Sequence, residues 1–528
     1  MPMAPMMLRR LAAAALALLA LSACGQKQPV EFKIVSGSEN TALEPIVQEF
    51  CRGHAMNCSF EYKGSLDIGA DLAPGASTDA DAVWPAASLW IDLFDAGRKV
   101  KKLKSISQSP VILGVRLAKA KELGWTDKPV TTRDIVQAVK DGKLKFLMTS
   151  ATQSNSGASA YLAMLAVLVG QPDVIEPGDL DDPRLQDEIK LLLSGVERSS
   201  GSSGWLKDLF LAGRPGPEFA EYDAMWNYES VIKEANDALA QKNGEKLWAV
   251  YPADGVFVSD SPLGFIDRGR GPDVEKAFDE LQAYLQSPET QARIAALGRR
   301  VALSGAAAKA EPDWNFDPGR MVNSVRTPAP DVIQKALALY QDTLRRPSLT
   351  AFCLDYSGSM QGVGESQVRE AMHFLLTPSE ASKALVQWTR RDKLNVIIFT
   401  DHVDSHREGD GTPASQSDLL GFVTGKSAGG GTDMYSCLKQ AARWIDQQPD
   451  RADYLPAILV MTDGRSEGDA PGFEQEWRTN GEAIPIFGIT FGDADKSQLD
   501  KLADLSRARV FDGRKDLQAA FRAARGYN

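Results

Sequence analysis

Leu349-Thr350-Ala351-Phe352-Cys353-Leu354-Asp355-Tyr356-Ser357-Gly358-Ser359 is a β-favouring apolar run that ends in an acid and two hydroxyls. The run predicts a buried strand, and the D-x-S-x-S that closes it then lies at the carboxyl end, where open α/β sheets hold their ligands. Two later stretches add to it. Gly429-Gly430-Gly431-Thr432-Asp433 precedes a helical pattern, and Ala457-Ile458-Leu459-Val460-Met461-Thr462-Asp463-Gly464 is a second apolar strand ending in an acid and a glycine. Three loops thus present Asp355, Ser357, Ser359, Thr432 and Asp463. All five are hard oxygen donors, which suit magnesium or manganese; zinc would ask for sulfur or imidazole.

Outward from this run, apolar strands at 349–354, 394–399, 457–461, 484–489 and 509–511 alternate with helical patterns at 380–388, 434–445, 498–505 and 517–523. That alternation predicts a doubly wound, mostly parallel α/β sheet over 347–528. With the five oxygen donors in this order, the region resembles the von Willebrand factor A (VWA) domain and its metal-ion-dependent adhesion site. The resemblance implies a Rossmann-like fold and a bound Mg2+ (or Mn2+). It also implies that the hydroxyls of Ser357, Ser359 and Thr432 contact the metal directly or through water, while Asp355 and Asp463 act mostly from behind them. Neutral hydroxyls leave the ion strongly positive with one position open, so a protein partner presenting a carboxylate is the expected sixth ligand. His402 and His406 fall in a charged stretch, Asp401 to Asp410, read as a solvated loop. No catalytic residue is assigned, and the expected activity is binding, not enzymatic.

The 528 residues allow two to four domains, and 43% hydrophobic with 24% charged residues is a globular balance. With 70 acidic against 59 basic residues, nucleic acid is not an expected partner. Residues 1–23 read as a signal peptide: Arg9-Arg10, then an apolar stretch to Leu21 that is too short to span a bilayer comfortably. Leu21-Ser22-Ala23-Cys24-Gly25 resembles a bacterial lipobox, which implies cleavage before Cys24, acylation of that residue and a tether over 24–30. Acyl chains would hold the protein on a membrane of the cell envelope, facing the periplasm or the exterior. Gly25 in place of Asp after Cys24 follows the outer-membrane pattern of other lipoproteins. Of the other cysteines, Cys51 and Cys58 bracket a short loop and are the expected disulfide; Cys353 and Cys437 are either bridged or buried thiols.

In residues 31–304, a strand, a small polar loop and a helix follow one another at Phe32–Val35, Ser36–Asn40 and Leu43–Phe50. The same order recurs at Phe146–Thr149, Gln153–Gly157 and Ser159–Leu168. Such loops expose backbone N–H groups that can hold an anion or polar ligand. With Tyr62–Ser65, Asp81–Ala86 and Tyr251–Gly255, the region resembles the type II periplasmic solute-binding proteins. That implies two α/β lobes, about 31–109 with 256–304 and about 110–255, crossing near Pro110 and Pro252. Carried over by position, Ser36, Ser38, Ser65, Trp84, Ser154, Ser156 and Tyr228 are the ligand-facing candidates for a small solute or oxyanion. The same residues also fit helix caps in a cleft that no longer binds. Ser199–Gly204 reads as an exposed flexible turn. Residues 305–346 read as a connector with one helix, Val332–Leu344, packed on one of the two domains.

The resulting expectation is an anchored binding protein whose VWA domain captures an acidic group of a partner, coupled to solute sensing. The alternative is the solute receptor of a transport system with an accessory VWA domain.

Overall fold

Three sheets divide the chain. The structure, a computed structural model, describes residues 29–170, 174–214, 221–302, 308–463, 465–480, 484–491, 496–514 and 517–527. The signal segment, Cys24, Ala306-Ala307 and Gly464 lie outside the described residues. Among those described, no helix is long and apolar enough to cross a membrane.

The first lobe's sheet runs, in spatial order, Met56–Lys63, Val30–Gly37, Ala82–Trp84, Pro262–Ile266 and Val100–Ser105. The second lobe's sheet runs Val258–Ser259, Ser109–Arg116, Ala224–Tyr228, Phe146–Thr149 and Val196–Ser200, with Leu247–Val250 also paired to Ser109–Arg116. The chain therefore crosses between lobes at Ser105–Ser109 and at Ser259–Pro262. The expected crossing near Pro252 is corrected: Val258 and Ser259 still pair with Pro110 and Ser109, so the second lobe keeps the chain several residues longer.

The connector is not a loose link. Trp314 and Phe316 are buried in the second lobe's core with Ala249 and Tyr251. Its helix, Pro330–Leu339, continues as one π-helical turn through Leu344. The helix packs on both lobes, and its last turn also reaches the second domain, where Gln341 Nε2 donates to the Gln387 carbonyl at 2.9 Å, so it is not confined to one domain as expected. Ile333 and Leu337 meet Leu66, Ala87 and Trp90 of the first lobe and Ala158 of the second, and the Tyr161 hydroxyl donates to the Ala336 carbonyl at 2.9 Å.

The third sheet runs Val403–Asp410, Lys393–Phe399, Ser348–Asp355, Leu455–Thr462, Ile486–Thr490 and Val510–Asp512. All neighbours are parallel except Val403–Asp410, which pairs antiparallel at the edge. The central strand Ser348–Asp355 is buried at every position. Phe352 and Leu354 face one core, and Ala351 and Cys353 the other. Burial on both faces is what makes its sequence a continuous apolar run where a half-exposed strand would alternate.

Two expectations in this region are corrected. His406 lies on the edge strand opposite Ile397, so Asp401–Asp410 is not a loop; with water on its outer side the strand needs no apolar alternation. The pattern at 380–388 gives only short turns ending at Leu385, whose φ of 53° stops a helix. The long helices of this stretch are Val363–Leu376 and Pro413–Thr424.

Candidate functional site

Asp355 is fully buried at the end of the central strand, and its carboxylate organises the loop that follows. Oδ1 accepts the Ser357 backbone N–H at 2.8 Å, and Oδ2 accepts the Thr462 hydroxyl at 2.6 Å. Burial pushes its pKa up, against those hydrogen bonds. The Ser357 and Ser359 hydroxyls lie 3.1 Å apart, and Ser359 Oγ donates to Asp463 Oδ1 at 2.8 Å. Four of the five oxygen-bearing residues thus form one connected cluster across two strand ends.

Thr432 arrives on the third loop, which the backbone ties to the others. Gly358 N–H donates to the Gly430 carbonyl at 2.9 Å, and Gly429 N–H to the Tyr356 carbonyl at 2.8 Å. Gly430 has φ +84°, a conformation open to glycine, and a Cβ on Gly358 would come within 3.2 Å of the Gly430 carbonyl. Asp433 caps the helix Met434–Asp446 by accepting from Tyr435 and Ser436 N–H. Ser466, buried and missed in the sequence, holds the back of the loop: its hydroxyl accepts from Met434 N–H at 3.1 Å and lies 3.3 Å from the Thr432 carbonyl. Arg465 and Glu467 are exposed beside it.

Three hydroxyl or carboxylate oxygens already within hydrogen-bond reach of one another fit a small hard cation, which would replace those hydrogen bonds with its own. Ser357, Ser359, Thr432 and Asp463 would hold it, with Asp355 fixing Ser357 from behind; the ion would supply a positive charge able to take an anionic ligand.

Two disulfides are present. Cys51 and Cys58 are joined, as are Cys353 and Cys437. The second settles the alternative left open by the sequence. It links the central strand to the helix that follows Thr432.

The other candidate residues gather where the lobes meet, and the lobes are closed. Leu66 N–H of the first lobe donates to the Gln153 carbonyl of the second at 3.2 Å, and a Cβ on Gly64 would come within 2.2 Å of that same carbonyl. Ser38 Oγ accepts from Gly204 N–H at 2.9 Å and lies 3.0 Å from Ser202 Oγ. Trp90 Nε1 donates to Asn155 Oδ1 at 2.7 Å.

Asn155 in turn donates to the Tyr228 hydroxyl at 2.9 Å and to Ser259 Oγ at 2.8 Å. Ser154 and Ser156 both reach Ser203, at 3.1 and 2.8 Å. The remaining three stay within the first lobe. Ser36 Oγ donates to the Trp84 carbonyl, Ser65 Oγ accepts from Ala86 N–H, and Trp84 Nε1 donates to Ser261. Ser199–Gly204 is therefore no exposed turn: Ser199, Ser200, Ser202 and Ser203 are buried. The signal was present, because Val196–Ser200 followed by Gly-Ser-Ser-Gly repeats the strand and small polar loop of the other two segments.

Beside this seam lies a buried charge cluster. Glu39 and Arg299 are 5% and 2% exposed, and Arg299 donates to the Glu39 carbonyl. Lys207 reaches Glu234 at 3.3 Å. Burial pushes the Glu39 carboxyl up from 4.5 to about 7, beyond what its backbone hydrogen bond and Arg299 recover. Between those values the folded chain holds a proton that the unfolded chain has released, so stability falls as pH rises through the window and levels off above it. The thermal midpoint should therefore drop between about pH 5 and about pH 8, and the drop should shrink in Glu39→Gln. Equal slopes in both proteins would exclude Glu39 as its source.

Comparison with known proteins follows the same division. The family model for bacterial extracellular solute-binding proteins matches residues 33–300, and that for the von Willebrand factor type A domain matches 350–465. No curated protein matches the chain. Among solved structures it is similar to the sulfate-binding protein SubI from Mycobacterium tuberculosis, with 19% identity over 53% of this chain and 89% of that one and a TM-score of 0.39. It is also similar to a ferric binding protein from Campylobacter jejuni, with 13% identity over 58% of this chain and 98% of that one and a TM-score of 0.43. A von Willebrand factor type A protein from Catenulispora acidiphila is 19% identical over 34% of this chain, with a TM-score of 0.30; the match spans 42% of that protein. The chain belongs to the bacterial extracellular solute-binding proteins and carries, after its two lobes, a von Willebrand factor type A domain.

Proposed function

We propose that this chain is a binding protein of the bacterial cell envelope, lipid-anchored through Cys24, whose second domain captures an acidic group of a protein partner through Mg2+ or Mn2+. The observation that carries this reading is the Ser357, Ser359 and Asp463 oxygen cluster at adjacent strand ends. Retention of envelope proteins on the immobilised chain should require Mg2+ and be reversed by a chelator. Equal retention with chelator present would refute it.

The solute-receptor reading has its own support. A cavity of about 390 Å3 lies where the two lobes and the terminal helix Leu517–Arg525 meet, with Lys63, Asp67, Trp205, Lys207, Arg522 and Tyr527 in its wall. Its size and mixed charge suit a small polar solute or oxyanion.

Coupling between the two activities is favoured by the terminal helix, which touches both lobes through one residue. The Arg522 side chain pairs with Asp67 of the first lobe at 3.4 Å, while its carbonyl accepts from Gln153 Nε2 of the second at 2.5 Å. Tyr527 packs edge-on against Trp205. In this reading the lobes open only if the second domain gives way.

Arg522→Glu would place two carboxylates together at a largely buried spot, where burial already pushes Asp67 up against the pull of Arg522. We expect a docking cost on the order of 2–3 kcal/mol. Spin-label distances between sites at Glu49 and Glu188 should broaden in Arg522→Glu and narrow again on adding Asp67→Lys. An unchanged distribution would remove the coupling while leaving metal-dependent capture intact.

A further inference from the structure

Where the second lobe, the connector and the second domain meet lies a partly open cavity of about 30 Å3. Arg345, Arg346 and Arg525 line it with the hydroxyls of Ser150, Thr152 and Ser348, and no carboxylate among the described residues does. Arg345 and Arg525 are only 9% and 8% exposed.

One acid answers them from behind. Asp392, fully buried, accepts from Arg345 Nη1 and Nη2 at 3.0 and 2.6 Å and stands 3.8 Å from Arg525 Nη2. Burial alone would raise Asp392; Arg345, Arg525 and its hydrogen bonds hold it at about 2. Ser348 Oγ accepts from both arginines, at 3.3 and 2.8 Å. The indole of Trp388 covers one face of Arg525 at 4.0 Å.

After these contacts, Arg345 Nε and both Nε and Nη2 of Arg525 are buried with no hydrogen-bond partner among the described residues. Among the described residues, two buried positive charges face one buried negative charge, an arrangement that is costly unless something neutralises the excess. The cost is visible in Arg525, which burial and then the repulsion of Arg345 push down to about 9.

We propose that this cavity binds a small monovalent anion of halide size, held by Arg345 and Arg525 at the junction between the solute-binding region and the second domain. A volume of about 30 Å3 is enough for a single chloride or bromide ion. Water could satisfy the orphan donors but not the surplus charge. Because Arg525 sits on the terminal helix and Arg345 on the connector, the ion would help seat the second domain on the lobes.

The test compares the full chain in sodium chloride, sodium bromide and sodium gluconate at equal ionic strength. The thermal midpoint should rise saturably with either halide, by roughly 2–4 °C, and not with gluconate. The rise should vanish in Arg525→Gln, and crystals of the unaltered chain soaked in bromide should give an anomalous peak in the cavity. Coincident midpoints in halide and gluconate, or a halide effect undiminished in Arg525→Gln, would overturn the proposal, as would an absent bromide peak. If Arg525→Gln does not fold, the bromide peak alone decides.

Discussion

Asp355→Asn should bring uptake of Mg2+ and Mn2+ by the full chain to the edge of detection in titration calorimetry, a fall in affinity of about 10–100-fold. Asn has the size of Asp and can keep the bond from Ser357 N–H, so the loop should hold its shape. The substitution removes one of only two carboxylates in an otherwise hydroxyl-lined cluster. It also turns an amide N–H2 towards the Thr462 hydroxyl, which now donates to Asp355 Oδ2. Ser357 and Ser359 would remain as neutral ligands and Asp463 as the lone negative charge. Partner capture should weaken with the metal, while solute-dependent stabilisation of the lobes should survive. Cation binding by Asp355→Asn at the affinity of the unaltered chain would mean that the metal binds elsewhere.

Replacing Cys353 and Cys437 together by Ala should destabilise the second domain by about 4.5 kcal/mol, the loop-closure estimate for a separation of 84 residues. The bond joins the central strand that ends in Asp355 to the helix that begins after Thr432, so its loss loosens two of the three loops at once. Hydrogen exchange along Ser348–Asp355 should accelerate while that of the two lobes stays nearly unchanged. Metal affinity should weaken without vanishing, because every oxygen donor is still present. Unaltered exchange in the double variant would show that packing alone holds the strand and helix together.

The sheet of the second domain could be read from sequence where its strands are covered on both faces. Ser348–Asp355, Lys393–Phe399 and Leu455–Thr462 announce themselves as apolar runs because nearly every position along them is buried. Val403–Asp410 could not be read this way, since an edge strand faces solvent and its polar residues look like a loop. Helix Val363–Leu376 is hidden in the sequence by Gly362 at its cap and Gly364 in its first turn. The site itself was legible because D-x-S-x-S and G-T-D are short: a few contiguous residues carry both the donor atoms and the turn that aims them.

The sequence by itself determined the chemistry of the loops, the strand-to-helix grammar of three domains' worth of chain, and the hydroxyl character of both candidate sites. Only the tertiary structure decided that the lobes are closed, and that Ser202 and Ser203 lie in their seam and not in a flexible turn. It alone brought Arg522 to Asp67, and Arg345 and Arg525 to a single aspartate. The physical reason is that donor type and local turn preference belong to neighbouring residues. Burial and charge balance depend instead on which distant segments exclude water from one another, and no short window of sequence contains that.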